Sequence, residues 1–262
     1  MDMPRKARQL SRSGWYHVIA RGNGRQLLFE NDGDRERFCS LMAEHFEDAR
    51  VALGAWCLMS NHVHLLVEDP QQQLSQAMHA LETAYALRFN ARTGHVGAVF
   101  QGRFKSIPIE TDRQLLCVVR YIHENPERAG IARADSYRWS SFHECAGTVG
   151  AVELCRAHSI RELMDEYGGF QALCAERRFE GYVERSNGRV ADEDALVAAR
   201  AALGGDDPAD LKGLAVARRN EGLRRLRSTG LTVKQIERVT GVGRSVIARA
   251  TSGVTRRDGI SE

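Results

Sequence analysis

The order of strand and helix patterns in the N-terminal half constrains the fold of this chain more than any other feature. β-Branched and aromatic runs predict four strands, and apolar residues at helical spacing predict three helices. In chain order these segments are strand Trp15–Ala20, helix Asp34–Ala49, strands Val51–Leu58 and His62–Glu68, helix Gln73–Ala91, strand Phe104–Ile109 and a helix that starts after Thr111. This order predicts an α+β domain with a ferredoxin-like antiparallel sheet. We expect its helices to cover one face and to leave the other face, or a cleft at its edge, open to a substrate.

Single residues mark where several of these elements begin and end. Asp32 is expected to cap the first helix, and Thr111, with Asp112 in the first turn, is expected to cap the third. Pro108 places the fourth strand at a sheet edge or marks its end, because proline cannot donate a backbone hydrogen bond. Pro126 is expected to end the third helix, since proline biases the residue before it away from helical geometry.

A histidine pair in the third predicted strand is the first signal of chemistry. Because successive side chains of a strand alternate between its faces, His62 and His64 project from the same face, about 7 Å apart. This spacing allows two imidazoles to bind one metal ion. The alternative is a pair of half-buried polar residues with no metal between them.

Tyr121 and Asn125 form a second chemical pair in the third predicted helix. They are four residues apart, so a phenol and an amide oxygen lie on the same side of the helix. A phenol with a pKa of about 10 is a poor nucleophile at neutral pH, and a divalent metal would stabilise the charge that develops when it attacks a phosphodiester. Mixed nitrogen and oxygen ligands suit Mg²⁺ or Mn²⁺. With the histidines, the pair predicts cleavage through a covalent phosphotyrosine; the alternative for Tyr121 is a packed aromatic side chain.

Charge is distributed unevenly along the chain, although the formal net charge is only +3. Residues 212–257 contain 12 Lys and Arg but two acids, whereas residues 150–210 contain 13 Asp and Glu against seven Arg. The basic segment is a candidate phosphate-binding surface, and its alternative is a solvated helical face. We therefore expect a catalytic domain at 1–147, an acidic helical connector at 148–210 and a basic DNA-binding tail at 211–262.

The basic tail contains the pattern of a helix-turn-helix. Residues 232–250 place apolar residues at helical spacing on both sides of the turn Gly241–Gly243. A short helix, a glycine-containing turn and a second helix that begins with Arg and Ser are typical of this motif. We expect Arg244, Ser245 and Arg249 to face DNA. The alternative is a small three-helix cap or a dimerisation element.

Four sequence motifs in one order produce a family resemblance. They are LMSNHVHLLVE, FQGRFKS, RYIHENPERAG and YRWSSF, and they follow the N-terminal run PRKARQLSRSGWYHVIARGN. Over about residues 4–145 the chain resembles the REP-associated tyrosine transposases, which are single-tyrosine HUH enzymes. The resemblance implies a ferredoxin-like nuclease that cuts and rejoins single-stranded DNA beside hairpins. Such an enzyme keeps the 5′ phosphate on its tyrosine and frees a 3′ hydroxyl.

The resemblance also implies roles by position. His62 and His64 correspond to the metal ligands, Tyr121 to the nucleophile and Asn125 to the third ligand, one helical turn after the tyrosine. Relatives often work as dimers in which the tyrosine helix serves either protomer's site. The resemblance therefore implies a homodimer, with a monomer as the alternative, since nothing in the residues themselves demonstrates a dimer.

Further basic residues are candidates for contact with the DNA backbone. Arg103 and Lys105 flank an aromatic residue beside the fourth strand, where both could contact one phosphate backbone. Arg5 and Arg21 belong to a basic N-terminal cluster. For each of these residues the alternative is a role in surface solubility alone. His17, in the first strand, has three open interpretations: it borders the metal site, supports the structure or contacts DNA.

Two other functions stay open on sequence alone. A domesticated transposase would bind hairpin DNA as a regulator without cutting it, but such a binder has no need of the two histidines, the tyrosine and the amide. A replication initiator or plasmid relaxase would share the chemistry and nick an origin instead of the edge of a mobile element.

The composition also bounds the cellular context. There is no apolar run of about eighteen residues and no apolar signal-peptide core at the N-terminus, so we expect a cytoplasmic, nucleoid-associated protein. The six cysteines are scattered without a CxxC pair, a pattern typical neither of a zinc knuckle nor of a small secreted disulfide framework.

Overall fold

The computed structural model describes residues 8–148, 152–176, 182–186, 189–192 and 194–254. The chain divides into two compact units, Met1–Glu180 and Gly181–Glu262. The boundary between them lies within the segment that the sequence predicts to be an acidic connector. No helix in the described ranges is long and apolar enough to cross a membrane.

The first unit is built around a four-stranded antiparallel sheet. Its elements are β1 (Trp15–Arg21), α1 (Asp32–Asp48), β2 (Ala52–Leu58), β3 (His62–Glu68), α2 (Leu74–Thr93), β4 (Lys105–Ile109), α3 (Asp112–Arg128), α4 (Phe142–Cys145), α5 (His158–Glu166) and α6 (Gly169–Ala175). The strand order is β2-β3-β1-β4, with β1 and β3 in the middle. The predicted ferredoxin-like α+β fold is therefore confirmed, and Pro108 lies on an edge strand, as expected.

Side-chain caps define where two of the helices begin. Thr111 caps α3 by accepting a hydrogen bond from the backbone N–H of Gln114 at 3.2 Å, as predicted. The cap of α1 is Asn31, whose side chain accepts from the backbone N–H of Asp34 at 3.0 Å. The prediction that Asp32 is this cap is wrong by one position, because Asp32 lies in the first turn, where an acid also stabilises a helix.

Helix α3 continues past Pro126 and ends at Arg128. The prediction that Pro126 ends this helix is therefore wrong. Proline removes only one backbone donor, and the turn around it keeps other bonds, including one from the Ala129 N–H to the Asn125 carbonyl at 3.0 Å. Pro126 is itself buried, so packing of this turn offsets the missing hydrogen bond.

The two faces of the sheet carry different side chains. Cross-strand pairing aligns Ile19 with His64 and Arg21 with His62. Directly paired residues point to the same side, so the histidines of β3 share one face with alternate residues of β1. We call this the histidine face. The opposite face is apolar and fully buried, with Val18, Val63 and Leu65 among its residues. Helices α1 and α2 pack against each other, and α1 also packs against β2.

Helix α3 covers the histidine face over β2 and β3. Its own apolar side is buried and consists of Leu115, Leu116, Val118, Val119 and Ile122. The expectation that helices cover one face and leave the other open is therefore wrong for this part of the sheet. An amphipathic helix has to bury its apolar side against another element, and here that element is the histidine face.

The second unit is a small helical domain with a short hairpin. Its elements are β5 (Arg185–Ser186), β6 (Arg189–Val190), α7 (Ala195–Ala202), α8 (Val216–Ser228), α9 (Val233–Thr240) and α10 (Arg244–Ala250). Thr232 and Gln235 form a capping box at the start of α9, and Gly241 ends this helix in the left-handed conformation with φ of 66°. Val242 in the turn and Ile247 on α10 are buried in the core of the unit. The two helices and their turn are present where the sequence places them; their contact with DNA stays a prediction.

Candidate active site

A cluster of aromatic rings lies on the histidine face beneath α3. The His62 and His64 rings of β3 have centroids 4.9 Å apart and planes at 83°. The His17 ring of β1 lies beside His64, with centroids 5.2 Å apart. Residue 17 is the diagonal neighbour of residue 64, since Ile19 lies directly opposite His64. All three rings are buried, with exposed fractions of 9% for His62 and 0% for His17 and His64.

Hydrogen bonds engage the Nδ1 atom of each paired histidine. His62 Nδ1 lies 2.8 Å from Asn61 Oδ1, and Nδ2 of the same amide donates to the Arg25 carbonyl at 3.4 Å. Because an amide oxygen only accepts, His62 carries a proton on Nδ1, and its neutral ring has the lone pair on Nε2. His64 Nδ1 lies 3.0 Å from His17 Nε2. Histidines that bind a metal through Nε2 show this same pattern, with the other nitrogen held by the protein.

His64 is held in the neutral form. Burial lowers the pKa of its imidazole well below the ordinary value, and the nearby His62, His17, Arg21 and Lys105 lower this pKa further. The neutral form is the one that binds metals. Nε2 of His64 is buried and has no hydrogen-bond partner within the described part of the chain. A buried nitrogen of this kind, next to a second imidazole, fits a divalent cation.

Tyr121 on α3 packs its ring against the histidines. The ring centroid lies 5.5 Å from that of His64 and 5.6 Å from that of His17, both edge-on, and the side chain is 1% exposed. The guanidinium of Arg128, about two helical turns later, lies over the tyrosine ring, 4.9 Å from its centroid. The structure thus brings the predicted nucleophile beside the predicted metal ligands within one chain.

Asn125 lies one turn after the tyrosine and is 2% exposed. Its Nδ2 donates to the Tyr121 carbonyl at 2.8 Å, so Oδ1 is the side-chain atom that could bind a cation. Among the described residues, no three His, Cys, Asp or Glu side chains are arranged as a metal site. With the two imidazole nitrogens, the Asn125 oxygen would complete the mixed nitrogen and oxygen ligand set that the sequence predicts for a divalent cation.

Ion pairs hold α3 in its position over the sheet. Glu124 pairs with Arg120 and with Arg128 along the helix. Arg120 Nη1 also donates to the Glu176 carbonyl, just after α6, at 2.7 Å. The segment that follows the sheet domain therefore contributes to fixing the tyrosine helix above the histidines.

Two of the predicted DNA-contacting residues lie at the site and one does not. Arg21 at the end of β1 and Lys105 at the start of β4 share the histidine face. Burial is the largest cause of the low pKa of His64, and both of these charges lower it further. Arg103 is exposed. Its charge, together with the larger effect of burial, lowers the pKa of Arg8. The charges of Arg103 and Lys105 therefore act on different neighbours, Arg8 and His64.

The other predicted DNA-contacting residues lie elsewhere in the chain. Arg5 lies outside the described residues. Arg244, Ser245 and Arg249 are on α10 of the second unit, and all three are exposed. Arg244 forms an ion pair with Glu237 of α9, and Arg249 Nε donates to the Ser245 carbonyl at 3.3 Å. These residues form one exposed surface of the second unit, which we call the α10 surface.

Sequence reasoning missed the position of Arg128 and left His17 open. The signal for Arg128 was its spacing of seven residues from Tyr121, which places both on one side of a helix. For His17 the signal was weaker. Strand alternation puts it on the histidine face only once β1 is known to pair with β3, and the two strands are far apart in the sequence.

A histidine pair on a ferredoxin-like sheet, with a tyrosine helix above it, is the arrangement that the motif resemblance implies. Residues 11–125 match the family model described as transposase IS200 like. The matched residues extend from the segment before β1 to Asn125 of α3, and so include both histidines of the pair and Tyr121.

The solved structures that are similar to this chain include the following two. A REP-associated tyrosine transposase bound to a REP hairpin is 18% identical, with a TM-score of 0.46 over 60% of this chain and 93% of its own. A putative transposase from Deinococcus radiodurans is 21% identical, with a TM-score of 0.32 over 46% of this chain and 96% of its own. No curated protein sequence matches the chain.

Proposed function

We propose that this protein is a metal-dependent single-strand DNA endonuclease and strand transferase that acts on hairpin-bearing DNA through a 5′-phosphotyrosine intermediate. One observation carries the proposal: the Tyr121 ring lies 5.5 Å from the ring of His64 in the same chain. The IS200-like match over residues 11–125 supports a role in DNA transposition. The hairpin substrate is inferred from the motif resemblance to REP-associated transposases.

Each site residue has its own role in the proposed reaction. The Tyr121 hydroxyl loses its proton, and its oxygen attacks the phosphorus of the scissile phosphodiester. The bond from phosphorus to the upstream 3′ oxygen breaks, so the 5′ phosphate stays on the tyrosine and the upstream strand leaves with a protonated 3′ hydroxyl. Arg128 orients the phenol ring and favours negative charge on it. A divalent cation held by His62, His64 and Asn125 would stabilise charge on the phosphate oxygens.

Burial of the site has two consequences for this reaction. It excludes water from the phosphotyrosine, so the bond energy is kept for rejoining to a 3′ hydroxyl. It also requires α3 or its neighbours to move before a strand can enter, because Tyr121 and His64 are almost fully covered. The α10 surface, in this proposal, adds affinity or target choice through Arg244, Ser245 and Arg249.

A covalent adduct is the test of the proposal. The full chain is incubated with Mn²⁺ and hairpin oligonucleotides taken from palindromic DNA beside its gene, labelled at the 3′ end so that the label stays with the 5′ phosphate. A labelled protein band is expected that survives denaturation. His62→Ala should lose this band while hairpin affinity changes little, and His79→Ala, which removes an exposed histidine of α2, should keep it. An undiminished adduct in His62→Ala would contradict the metal role.

Burial of the site also favours a second candidate, a hairpin-binding regulator that does not cut DNA. In the described conformation Tyr121 is only 1% exposed, which suits a protein whose site stays closed. Tight hairpin binding without any adduct in Mg²⁺ or Mn²⁺ would support this candidate over the nuclease.

A further inference from the structure

His17 is a buried polar residue of the site that the proposed reaction does not use. It lies on β1, which pairs with β3 on one side and β4 on the other, so its backbone position is fixed from both sides. Its ring is fully buried, and Nε2 lies 3.0 Å from Nδ1 of His64. A buried imidazole needs polar partners, and His64 is one of them.

A hydrogen bond between two imidazoles can run in either direction, with opposite consequences for His64. If His17 donates, His64 accepts on Nδ1 and carries its own proton on Nε2, which then cannot bind a cation. If His64 donates, its lone pair lies on Nε2. That Nε2 is buried without a hydrogen-bond partner among the described residues. Only the second direction avoids burying a proton that has no acceptor.

The neighbouring histidine shows the same arrangement with a different partner. His62 Nδ1 donates to Asn61 Oδ1 at 2.8 Å, which sets its lone pair on Nε2. When His64 donates to His17, both members of the pair have the same tautomer, and both present Nε2 as a lone pair. Asn61 and His17 therefore hold the two paired histidines in the same tautomer, although Asn61 is adjacent in sequence and His17 lies on a different strand.

We propose that His17 is a positioning residue that accepts a hydrogen bond from His64 Nδ1 and thereby holds His64 Nε2 ready for a divalent cation. The inference rests on the proposed nuclease function, since it concerns the metal site of that reaction. His17 acts through His64 and does not bind the cation itself.

Two substitutions of His17 separate the hydrogen bond from the space that the ring fills. In His17→Gln the side-chain oxygen can still accept from His64, whereas His17→Leu fills part of the same space without an acceptor. The matched control is His123→Leu. It removes a histidine that is 1% exposed and whose Nε2 lies 2.8 Å from Ser141 Oγ, a contact outside the histidine pair.

The readouts are the affinity of the full chain for Mn²⁺ alone, measured by the loss of the free-ion EPR signal, and the tautomer of His64, measured by ¹⁵N NMR. We expect His17→Leu to bind Mn²⁺ about 10- to 100-fold more weakly and to move the His64 proton from Nδ1 to Nε2. His17→Gln should recover most of the affinity, and His123→Leu should bind as the wild type does.

Failure of this inference differs from failure of the proposed function. Wild-type Mn²⁺ affinity in His17→Leu, or equal losses in the Leu and Gln variants, would overturn the role of His17. The Tyr121 adduct would still form in either case. A wild-type protein that neither binds Mn²⁺ nor forms the adduct would overturn the proposed function, and this inference with it.

Discussion

The histidine face of the first unit and the α10 surface of the second unit present their candidate DNA-directed residues in opposite ways. His17, His64 and Tyr121 are at most 1% exposed, whereas Arg244, Ser245 and Arg249 are all exposed. Buried polar groups depend on exact partners and are little screened, while exposed charges act at longer range and weaken with salt. The difference teaches that rate and affinity should be separable in this chain: substitutions on the histidine face should change the rate, and those on the α10 surface should change binding.

Removal of the phenolic oxygen should have the largest effect. Tyr121→Phe keeps the ring that packs on the histidines and under Arg128, so the hairpin Kd should stay unchanged. Adduct formation should fall by about 1,000-fold or more, because no other group can form the phosphotyrosine bond. The measurement is the rate at which the 3′-labelled hairpin becomes attached to protein.

Tyr137→Phe is the matched control for that change. It removes another buried hydroxyl, one that donates to the Leu58 carbonyl at 2.8 Å, and should lower stability without slowing attachment. If Tyr121→Phe formed the adduct at a rate near that of the control, the claim that the histidine face sets the rate would be contradicted.

A smaller effect is expected from the cation above the tyrosine ring. Arg128→Gln removes a buried cation–π contact of about 1–2 kcal/mol, which corresponds to an adduct rate about 5- to 30-fold lower. The hairpin Kd should not change, because the side chain is only 11% exposed. Arg133→Gln serves as control, since its guanidinium is 78% exposed and pairs with Asp135. A changed hairpin Kd with an unaltered adduct rate would show that Arg128 acts in DNA binding and not in adduct formation.

Loss of an exposed cation from the α10 surface should act on affinity alone. Arg249→Ala should weaken DNA binding by about fivefold, roughly 1 kcal/mol. It should also reduce the slope of log Kd against log salt by about one, as expected for one lost phosphate contact. The adduct rate at saturating DNA should equal that of the wild type. The control is Arg225→Ala, which removes an exposed arginine of α8 that pairs with Glu221. If both variants lost the same DNA affinity, any surface charge would have this effect, and the α10 surface would not be a specific binding site.

The smallest expected effects concern the helix caps of the two units. Thr232→Ala removes the capping box of α9 and should cost about 1 kcal/mol in the second unit. Thr111→Ala removes the cap of α3 and should cost about the same in the first. Amide hydrogen exchange of the full chain measures both, and only the Thr111 change should also slow adduct formation, since α3 carries the tyrosine. Slower attachment in Thr232→Ala would show that the two units are not separable.

Much of the first unit follows from sequence, but its central contact does not. The strand His62–Glu68 and the cap at Thr111 are found where local patterns predict them, because period-two alternation and capping are properties of neighbouring residues. The placement of α3 on the histidine face depends on which apolar surfaces meet. The bond between His17 and His64 depends on the register of two strands, and its partners have a sequence separation of 47. No local pattern contains that register, and only the fold reveals that both paired histidines are held through Nδ1.

The most direct test of the account identifies the residue that is joined to DNA. Trypsin cuts after Arg120 and Arg128 and so releases residues 121–128 as one peptide, which contains a single tyrosine. After adduct formation in Mn²⁺ and nuclease digestion, mass spectrometry should find a nucleotide phosphate on Tyr121 of this peptide. A nucleotide on any other tyrosine, or tight hairpin binding with residues 121–128 unmodified, would contradict the account.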